Sequence, residues 1–313
     1  MKLFIGVVSK NTVDAVIEYA NEHNVTLGLI PSQNQVDYLG GYAGWTTETL
    51  SEYVKERTDK VIIERDHGVG NLVSYQADTQ HFDAIHIDPW KISSSITEVV
   101  ERTICNTEFC YRYNKKLWFE IGTEEAITRM DDVELWEFIH GVKSGLDAEI
   151  FERIKYVVIQ SGTRLYETSN IGEYDEDRLT KMIGVANEFG LETKIHNGDY
   201  LTADEIKHHF DMGVGAVNIA PEFGSMESEE YIVSMKGGSK FDRFYRLCLD
   251  SDQWRKWVDN DFDVKRRVKL ALICGHYVFS TDEFKEIKKE LDPDIDNIIK
   301  HNIKKRIDGI LNA

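Results

Sequence analysis

The chain contains few cysteines and prolines and no long apolar segment. Its 313 residues include four cysteines and four prolines. No stretch approaches the roughly 18 apolar residues that a membrane-spanning helix needs, which argues against a membrane protein. Few prolines argue against disorder. The cysteines lack CxxC spacing, so we expect reduced thiols and a cytoplasmic protein. The N-terminal apolar run is interpreted as a strand rather than a signal peptide.

Basic residues are also scarce relative to acidic ones. The chain has 37 Lys and Arg residues against 55 Asp and Glu residues, a formal charge of -18. A surface of this charge repels nucleic acids and anionic membranes, so neither is expected as a partner. A phosphorylated small molecule stays compatible with it, because a local basic pocket can oppose the global field. With 42% hydrophobic residues, the chain can bury a large core.

Short runs rich in Val and Ile alternate with helix-like segments over the first 220 residues. Strands buried on both faces have this composition. Eight such units predict an α/β protein with a (β/α)8 TIM barrel. The predicted strands cover residues 3–8, 26–30, 61–63, 84–87, 117–121, 156–159, 192–195 and 216–219.

The alternation stops after Gly224, and the remaining sequence has helical periodicity. We therefore assign residues 1–228 to the barrel and residues 229–313 to a helical C-terminal extension. Near its end, apolar residues recur among Lys and Arg at positions 298, 299, 303, 307 and 311. This amphipathic pattern predicts that the extension packs on the barrel or on a partner subunit.

Several predicted strands end in side chains that can bind metals or move protons. Asp66 and His67 follow the third strand, Glu120 ends the fifth, and His196 ends the seventh. Active sites of these barrels lie at the carboxyl ends of the strands, so we expect these groups to converge. Two imidazoles with carboxylates suit a borderline divalent ion such as zinc. His86 alternates with buried-type neighbours and is interpreted as a histidine of the barrel wall or interior.

The order of these strand ends resembles a known family. The chain is similar to the tagatose-bisphosphate aldolase subunit often called non-catalytic, which is related to the class II fructose- and tagatose-bisphosphate aldolases. The resemblance covers about residues 28–280, and its most specific pieces are the loop at 40–44 and the strand end at 121–124. The matching segments are residues 32–37, 40–44, 66–68, 85–88, 121–124, 160–162 and 196–200.

This resemblance implies a divalent-metal site, with zinc as the expected ion. His67 and His196 would be metal ligands, and Asp66 would be the catalytic acid or base. Gln160 stands where the aldolases have another histidine ligand. Glu120 is therefore expected to complete the ligand set and is included among the catalytic residues, since two histidines and one glutamate can hold zinc.

The same resemblance implies where a sugar phosphate would bind. Gly198 and Ser225 are expected to donate hydrogen bonds to phosphate, because these barrels often place it after the seventh and eighth strands. The glycine-rich segment at 237–240 is a second candidate for the phosphate site. It could equally be a solvated loop. The residues expected to bind the sugar itself are Gln33, Asn34, Asp88, Gln160 and Asn218.

Three functions follow as hypotheses. The main one is a metal-dependent aldolase that cleaves or forms a C–C bond in a ketose phosphate. The second is a ketose-phosphate 4-epimerase that uses the same retro-aldol chemistry. The third is a non-catalytic stabilising subunit of a tagatose-bisphosphate aldolase. A homo-oligomer or a complex with a related aldolase subunit is expected.

Overall fold

Eight parallel strands form a closed barrel at the centre of the molecule. The computed structural model describes residues 2–124, 130–172 and 174–313. Each strand pairs with the next along the chain, and the eighth pairs with the first through Leu3 and Val217. The predicted (β/α)8 fold is confirmed. The strands are β1 (Leu3–Ile5), β2 (Leu27–Leu29), β3 (Val61–Gly68), β4 (Ala84–Ile87), β5 (Trp118–Gly122), β6 (Ile154–Val158), β7 (Glu192–Ile195) and β8 (Ala216–Ile219).

Helices surround the barrel and begin at polar capping residues. Thr46, Asp131 and Thr202 form capping boxes that satisfy free N–H groups in the first turn. The outer helices are α1 (Lys10–His23), α2 (Thr47–Lys55), α3 (Leu72–His81), α4 (Ile96–Tyr113), α5 (Asp132–Gly145), α6 (Ala148–Phe151), α7 (Glu176–Glu188) and α8 (Ala203–Asp211). Among the described residues, no helix is both long and apolar enough to cross a bilayer.

The chain after β8 is helical, as expected from its periodicity. Its helices are α9 (Pro221–Met235), α10 (Gly238–Asp250), α11 (Arg267–Cys274), α12 (Asp282–Lys288) and α13 (Ile295–Leu311). The last helix packs against α1, α8 and α9 and buries Ile299, Ile303 and Ile307. The extension therefore covers the side of the barrel where the first and last βα units meet.

The barrel interior contains a buried charged group. Lys194 on β7 lies 2.6 Å from Glu64 on β3 and 2.5 Å from Glu120 on β5, and all three side chains are inaccessible to solvent. The ammonium also lies 3.5 Å from the centre of the Phe4 ring. A buried charge is tolerated only when it is paired, so this arrangement holds three strands in one relative position.

Candidate functional site

A cavity of about 400 Å³ opens at the carboxyl end of the barrel. Its walls come from the ends of β2, β3, β7 and β8 and from two short segments of the C-terminal extension. This is the end of a TIM barrel where active sites form. The predicted residues in its lining are Gln33, Asn34, Asp66, His67, His196 and Asn218.

Three histidines face Asp66 at the bottom of this cavity. We call His67, His86 and His196 the histidine cluster. From Oδ1 of Asp66, the distance is 3.7 Å to His67 Nε2, 3.7 Å to His196 Nδ1 and 3.9 Å to His86 Nδ1. His67 Nε2 and His196 Nδ1 are 3.3 Å apart. Four donor atoms from three strand ends therefore meet within 4.8 Å of one another.

The other ring nitrogen of each histidine is held by an oxygen acceptor. His67 Nδ1 lies 2.7 Å from the carboxylate of Asp88, and His196 Nε2 lies 2.5 Å from that of Glu120. His86 Nε2 lies 2.8 Å from the carbonyl oxygen of Gly122. When these outer nitrogens carry the protons, the inner nitrogens keep their lone pairs, and that of His86 Nδ1 accepts a hydrogen bond from the His67 backbone N–H at 3.2 Å. Histidines that bind metals have this kind of partner.

The backbone of β3 and β5 has unusual conformations beside the cluster. The register of β3 with β4 shifts between Arg65 and Gly68, and His67 has a left-handed φ of 47°. This conformation is uncommon for residues other than glycine, although histidine adopts it more often than most side chains do. Gly122 has a φ of 97°, which suits a glycine, and its carbonyl accepts the His86 hydrogen bond. Strained positions of this kind concentrate at functional sites.

The electrostatics of the cluster favour a bound cation. Burial lowers the pKa of His196 to about 4 against the opposing effect of Glu120, so its ring is neutral near pH 7. Burial also lowers the pKa of His86, but Glu120, Asp66 and Asp88 outweigh it and raise this pKa to about 9. Burial raises the pKa of Asp66, but the histidine cluster holds it well below its usual range. The field that attracts a proton here would also attract a metal ion.

The residues present fit a zinc-type ion. Zinc–nitrogen bonds of about 2.0–2.1 Å in a tetrahedron place ligands roughly 3.3 Å apart, close to the separation of His67 Nε2 and His196 Nδ1. Asp66 Oδ1 is buried and has no hydrogen-bond partner in the part of the chain that the structure describes. A nitrogen-rich donor set is typical of zinc, whereas magnesium prefers oxygen ligands.

Glu120 lies below this group of donor atoms. One of its oxygens contacts His196 and the other contacts Lys194. Lys194 and the two nearby histidines outweigh burial and keep the pKa of Glu120 well below its usual range. The structure therefore places Glu120 as the partner of a ligand-type histidine. His86, which the sequence assigned to the barrel wall or interior, adds a further ring nitrogen to the group, and this Nδ1 also accepts a hydrogen bond from the His67 backbone N–H at 3.2 Å.

Three other predicted residues lie away from the cavity lining. The side-chain oxygen of Gln160 accepts hydrogen bonds from the Met130 backbone N–H and the Arg178 side chain. The N–H of Gly198 donates to the Asn218 carbonyl at 3.1 Å. The hydroxyl of Ser225 donates to the Leu272 carbonyl at 3.0 Å. Each of these groups is thus engaged by another group of the protein.

Two predicted residues in the lining have polar atoms without partners. Gln33 Nε2 and Asn218 Oδ1 are buried and form no hydrogen bond with the described residues. Asp88, by contrast, stands behind His67 rather than in the cavity wall. The unpaired amide groups are suited to a ligand with hydroxyl groups, because buried polar atoms are normally satisfied.

The sequence left Glu124 open between a catalytic role and a charge cluster at a helix start. This carboxylate accepts hydrogen bonds from the backbone N–H groups of His196 and Asn197 and from the hydroxyls of Ser161 and Thr163. It therefore links the end of β5 to the ends of β6 and β7 and positions His196. Its place directly after Thr123 was visible in the sequence, but a charged pair at a helix start explained it equally well.

The C-terminal extension contributes part of the cavity wall, which the sequence did not indicate. Its side chains come from the turns Gln253–Trp257 and Gly275–Tyr277. The wall residues from these turns are Lys256, Trp257, His276 and Tyr277.

Comparisons with known proteins show the fold. No protein-family model matches the chain, and no curated protein matches its sequence. A Sinorhizobium meliloti structure described as a probable tagatose 6 phosphate kinase is 14% identical, with a TM-score of 0.80 and 99% of each chain covered. The YdjI aldolase from Escherichia coli K12 is also 14% identical, with a TM-score of 0.58, 92% of this chain and 90% of that chain covered.

A third similar structure is an epimerase. The fructuronate-tagaturonate epimerase UxaE from Cohnella laeviribosi is 12% identical, with a TM-score of 0.64, 99% of this chain and 81% of that chain covered. The aldolase and the epimerase thus share the barrel fold of this chain.

Proposed function

We propose that this chain is a metal-dependent enzyme that breaks and forms a C–C bond beside the carbonyl of a ketose derivative. The observation that carries the proposal is the convergence of the histidine cluster on Asp66 Oδ1, with every outer ring nitrogen held by an acceptor. A purely stabilising subunit would have no need of such an arrangement. The histidine cluster would hold the ion, with zinc as the expected metal.

A divalent ion held there would polarise a substrate carbonyl as a Lewis acid. Asp66 would do the proton transfer. Its carboxylate lies beside the inner histidine nitrogens, and its side chain is 14% exposed in the cavity. It is ionised, so it can accept the proton of the hydroxyl two carbons from the ketose carbonyl. The bond between the hydroxyl-bearing carbon and the carbon next to the carbonyl then breaks. The hydroxyl-bearing carbon becomes an aldehyde, and the electron pair of the bond stays on the carbonyl side as an enediolate.

Gln33 and Asn218 would orient the substrate hydroxyls. Within the described ranges of the chain, both have unpaired polar atoms at the cavity. Their amide groups can both donate and accept, as sugar hydroxyls can. Holding the hydroxyl next to Asp66 places the reacting atoms together, and positioning of this kind accounts for a large part of enzymatic rate enhancement.

Epimerisation at the hydroxyl-bearing carbon is the second candidate. It requires the aldehyde to stay in the cavity, rotate and be attacked again from its other face. The wall formed by Trp257 and Tyr277 favours retention of the fragment. The epimerase UxaE also aligns with 99% of this chain, including the region of the extension. The kinase description of another neighbour receives less support, because the nitrogen-rich donor set is not one that magnesium prefers.

Metal analysis and product analysis of three proteins test the proposal. The wild type is expected to bind about one zinc ion per chain and to convert a ketose substrate. His196→Ala should lose zinc and activity together. Asp66→Asn should keep zinc but lose activity by about 100-fold or more, as expected for a proton-transfer group. Exposed Asp59→Asn is the matched control and should behave as the wild type.

The products separate the two reactions. A trapped short aldehyde identifies an aldolase, whereas a 4-epimer without a trapped aldehyde identifies an epimerase. If the chain binds no metal and His196→Ala loses no activity, both the aldolase and the epimerase hypotheses are contradicted. The stabilising-subunit hypothesis would then be the one that remains.

A further inference from the structure

At the usual phosphate position of a TIM barrel, the backbone donors of this chain are already hydrogen-bonded within the protein. Such barrels often bind phosphate after β7 and β8, at the N-terminus of a following helix. Here Asp199 Oδ1 accepts hydrogen bonds from the backbone N–H groups of Ala220, at 3.0 Å, and Glu222, at 2.7 Å. Pro221 between them has no N–H. The protein's own carboxylate thus takes the donors at the start of α9 that a phosphate would use.

The neighbouring donors are also engaged. Glu222 accepts a hydrogen bond from the Tyr200 backbone N–H at 2.6 Å and forms an ion pair with Arg306 at 2.6 Å. The Gly198 N–H donates to a strand carbonyl. Burial and the charge of Glu222 raise the pKa of Asp199 well above its usual range, which shows how strongly this corner disfavours further negative charge. A phosphate would meet two carboxyl groups here and no free backbone donor among these positions.

The opposite wall of the cavity offers a cation. Lys256 lines the cavity, and it has no ion pair within the described parts of the chain. Its ammonium lies 5.2 Å from the centre of the Tyr277 ring. The other lysine of the wall, Lys91, lies in the field of Asp88, whose pKa it helps to lower. Among the described residues that line the cavity, Lys256 is therefore the cation whose charge is available to a ligand.

We propose that the substrate is a ketose with a single acidic group, which binds Lys256, and that it is not a ketose bisphosphate. The end of the substrate near β7 and β8 would carry only uncharged hydroxyls, which Asn218 can bind through its unpaired side-chain oxygen. One available cation among the described lining residues matches one anionic group, either a carboxylate or a phosphate. This inference rests on the proposed function, because it treats the cavity as a ketose site.

Binding measurements test this inference without requiring turnover. The full chain, loaded with zinc, is titrated calorimetrically with a ketohexose, its 6-carboxylate, its 6-phosphate and its 1,6-bisphosphate. We expect at least one of the two singly acidic ketoses to bind more tightly than the neutral ketose. The bisphosphate should bind no more tightly than the monophosphate. The tighter of the two singly acidic ligands identifies the acidic group.

Lys256→Gln should weaken binding of the preferred acidic ketose by about tenfold or more, as loss of a charged hydrogen bond implies, and leave the neutral ketose unchanged. Lys265→Gln, an exposed lysine outside this cavity, is the matched control and should have no effect. The inference is overturned if the bisphosphate binds tenfold more tightly than the monophosphate. It is also overturned if Lys256→Gln weakens neutral and acidic ligands equally, or if no acidic ketose binds. The expected binding pattern without any turnover would contradict the proposed function alone.

Discussion

Hydrogen bonds to the outer nitrogens decide which atoms of the histidine cluster face Asp66. Two of the acceptors are carboxylates and one is a backbone carbonyl. A carboxylate partner fixes the tautomer and raises the basicity of the ring as a metal ligand. The cluster therefore depends on residues that would not themselves contact the metal.

Replacement of Asp88 by Asn tests this dependence. The amide has nearly the same shape, but it removes the negative charge beside His67 Nδ1. We expect the zinc affinity to fall by about 10–100-fold, as for other outer partners of metal ligands, while the fold is kept. Competition with a chromophoric chelator measures the affinity. Wild-type affinity in this variant would show that Asp88 does not orient His67.

His276 gives a pH-dependent contribution to stability. Burial, with a smaller contribution from Lys256, lowers its pKa to about 3 from a usual value of 6.5. Between these values the unfolded chain binds a proton that the folded chain does not. This residue therefore contributes to a loss of stability as the pH falls below 6.5, with a slope of up to about 1.4 kcal/mol per pH unit.

His276→Gln should remove that slope. Urea unfolding of both proteins at pH 7, 6 and 5 gives the free energy of unfolding, and their difference cancels the other titrating groups. We expect the wild type to lose more stability than the variant on acidification. Parallel pH dependences would mean that His276 is not held neutral in the folded protein.

At the scale of the elements, β3 shows how far the sequence could predict the structure. The apolar run at 61–63 predicted a strand, but the strand continues to Gly68 through Glu64 and Arg65. Hydrophobic patterning could not show this extension, because the partners that allow these charges to be buried are distant in sequence. Glu64 pairs inside the barrel with Lys194, and Arg65 pairs outside it with Asp78.

Local patterns also decided which parts of the candidate site could be predicted. Asp66, His67 and His196 follow apolar strands, and strand ends meet in a parallel barrel, so their proximity could be expected. For His86, the alternation of polar and apolar residues along the strand predicted which face the side chain is on. It did not predict that the ring lies close enough to the end of the barrel to meet Asp66. The cavity wall from Lys256 and Tyr277 depends on how the extension folds back, and no local pattern encodes that contact.

Arg65 connects three elements at the edge of the cavity. Its guanidinium bonds to Asp78 on α3 at 2.6 Å and to the carbonyls of Pro31 and Val36 in the loop after β2. Because both charged side chains are fully buried, Arg65→Met would leave an unpaired carboxylate. We expect a loss of about 3–5 kcal/mol in the free energy of unfolding.

Urea unfolding of matched variants checks this estimate. Arg102→Met breaks the exposed pair with Glu98 and should cost at most about 1 kcal/mol. The double variant Arg65→Met, Asp78→Leu removes both buried charges and should recover part of the loss. A cost for Arg65→Met as small as that of Arg102→Met would contradict the assigned role.

At the scale of the whole molecule, α13 joins the two ends of the chain. It packs against α1, which follows the first strand, and against α8 and α9. Its buried face is a row of isoleucines, and Ile303 in this row is inaccessible to solvent. This packing predicts that residues 1–228 and the extension unfold together, although the sequence divides them into two regions.

Replacement of Ile303 by Ala tests that cooperativity. Loss of a buried isoleucine costs about 2–5 kcal/mol, and because α13 covers the barrel, the cost should appear in one unfolding transition for the whole chain. Tryptophan fluorescence and far-ultraviolet circular dichroism, followed along the same urea series, should give coincident curves shifted to lower urea. Ile298→Ala, on the same helix but 37% exposed, should shift them little. If Ile303→Ala instead produced an early separate transition, the extension would be an independent unit, and its cavity-lining residues would not be held in place by the barrel fold.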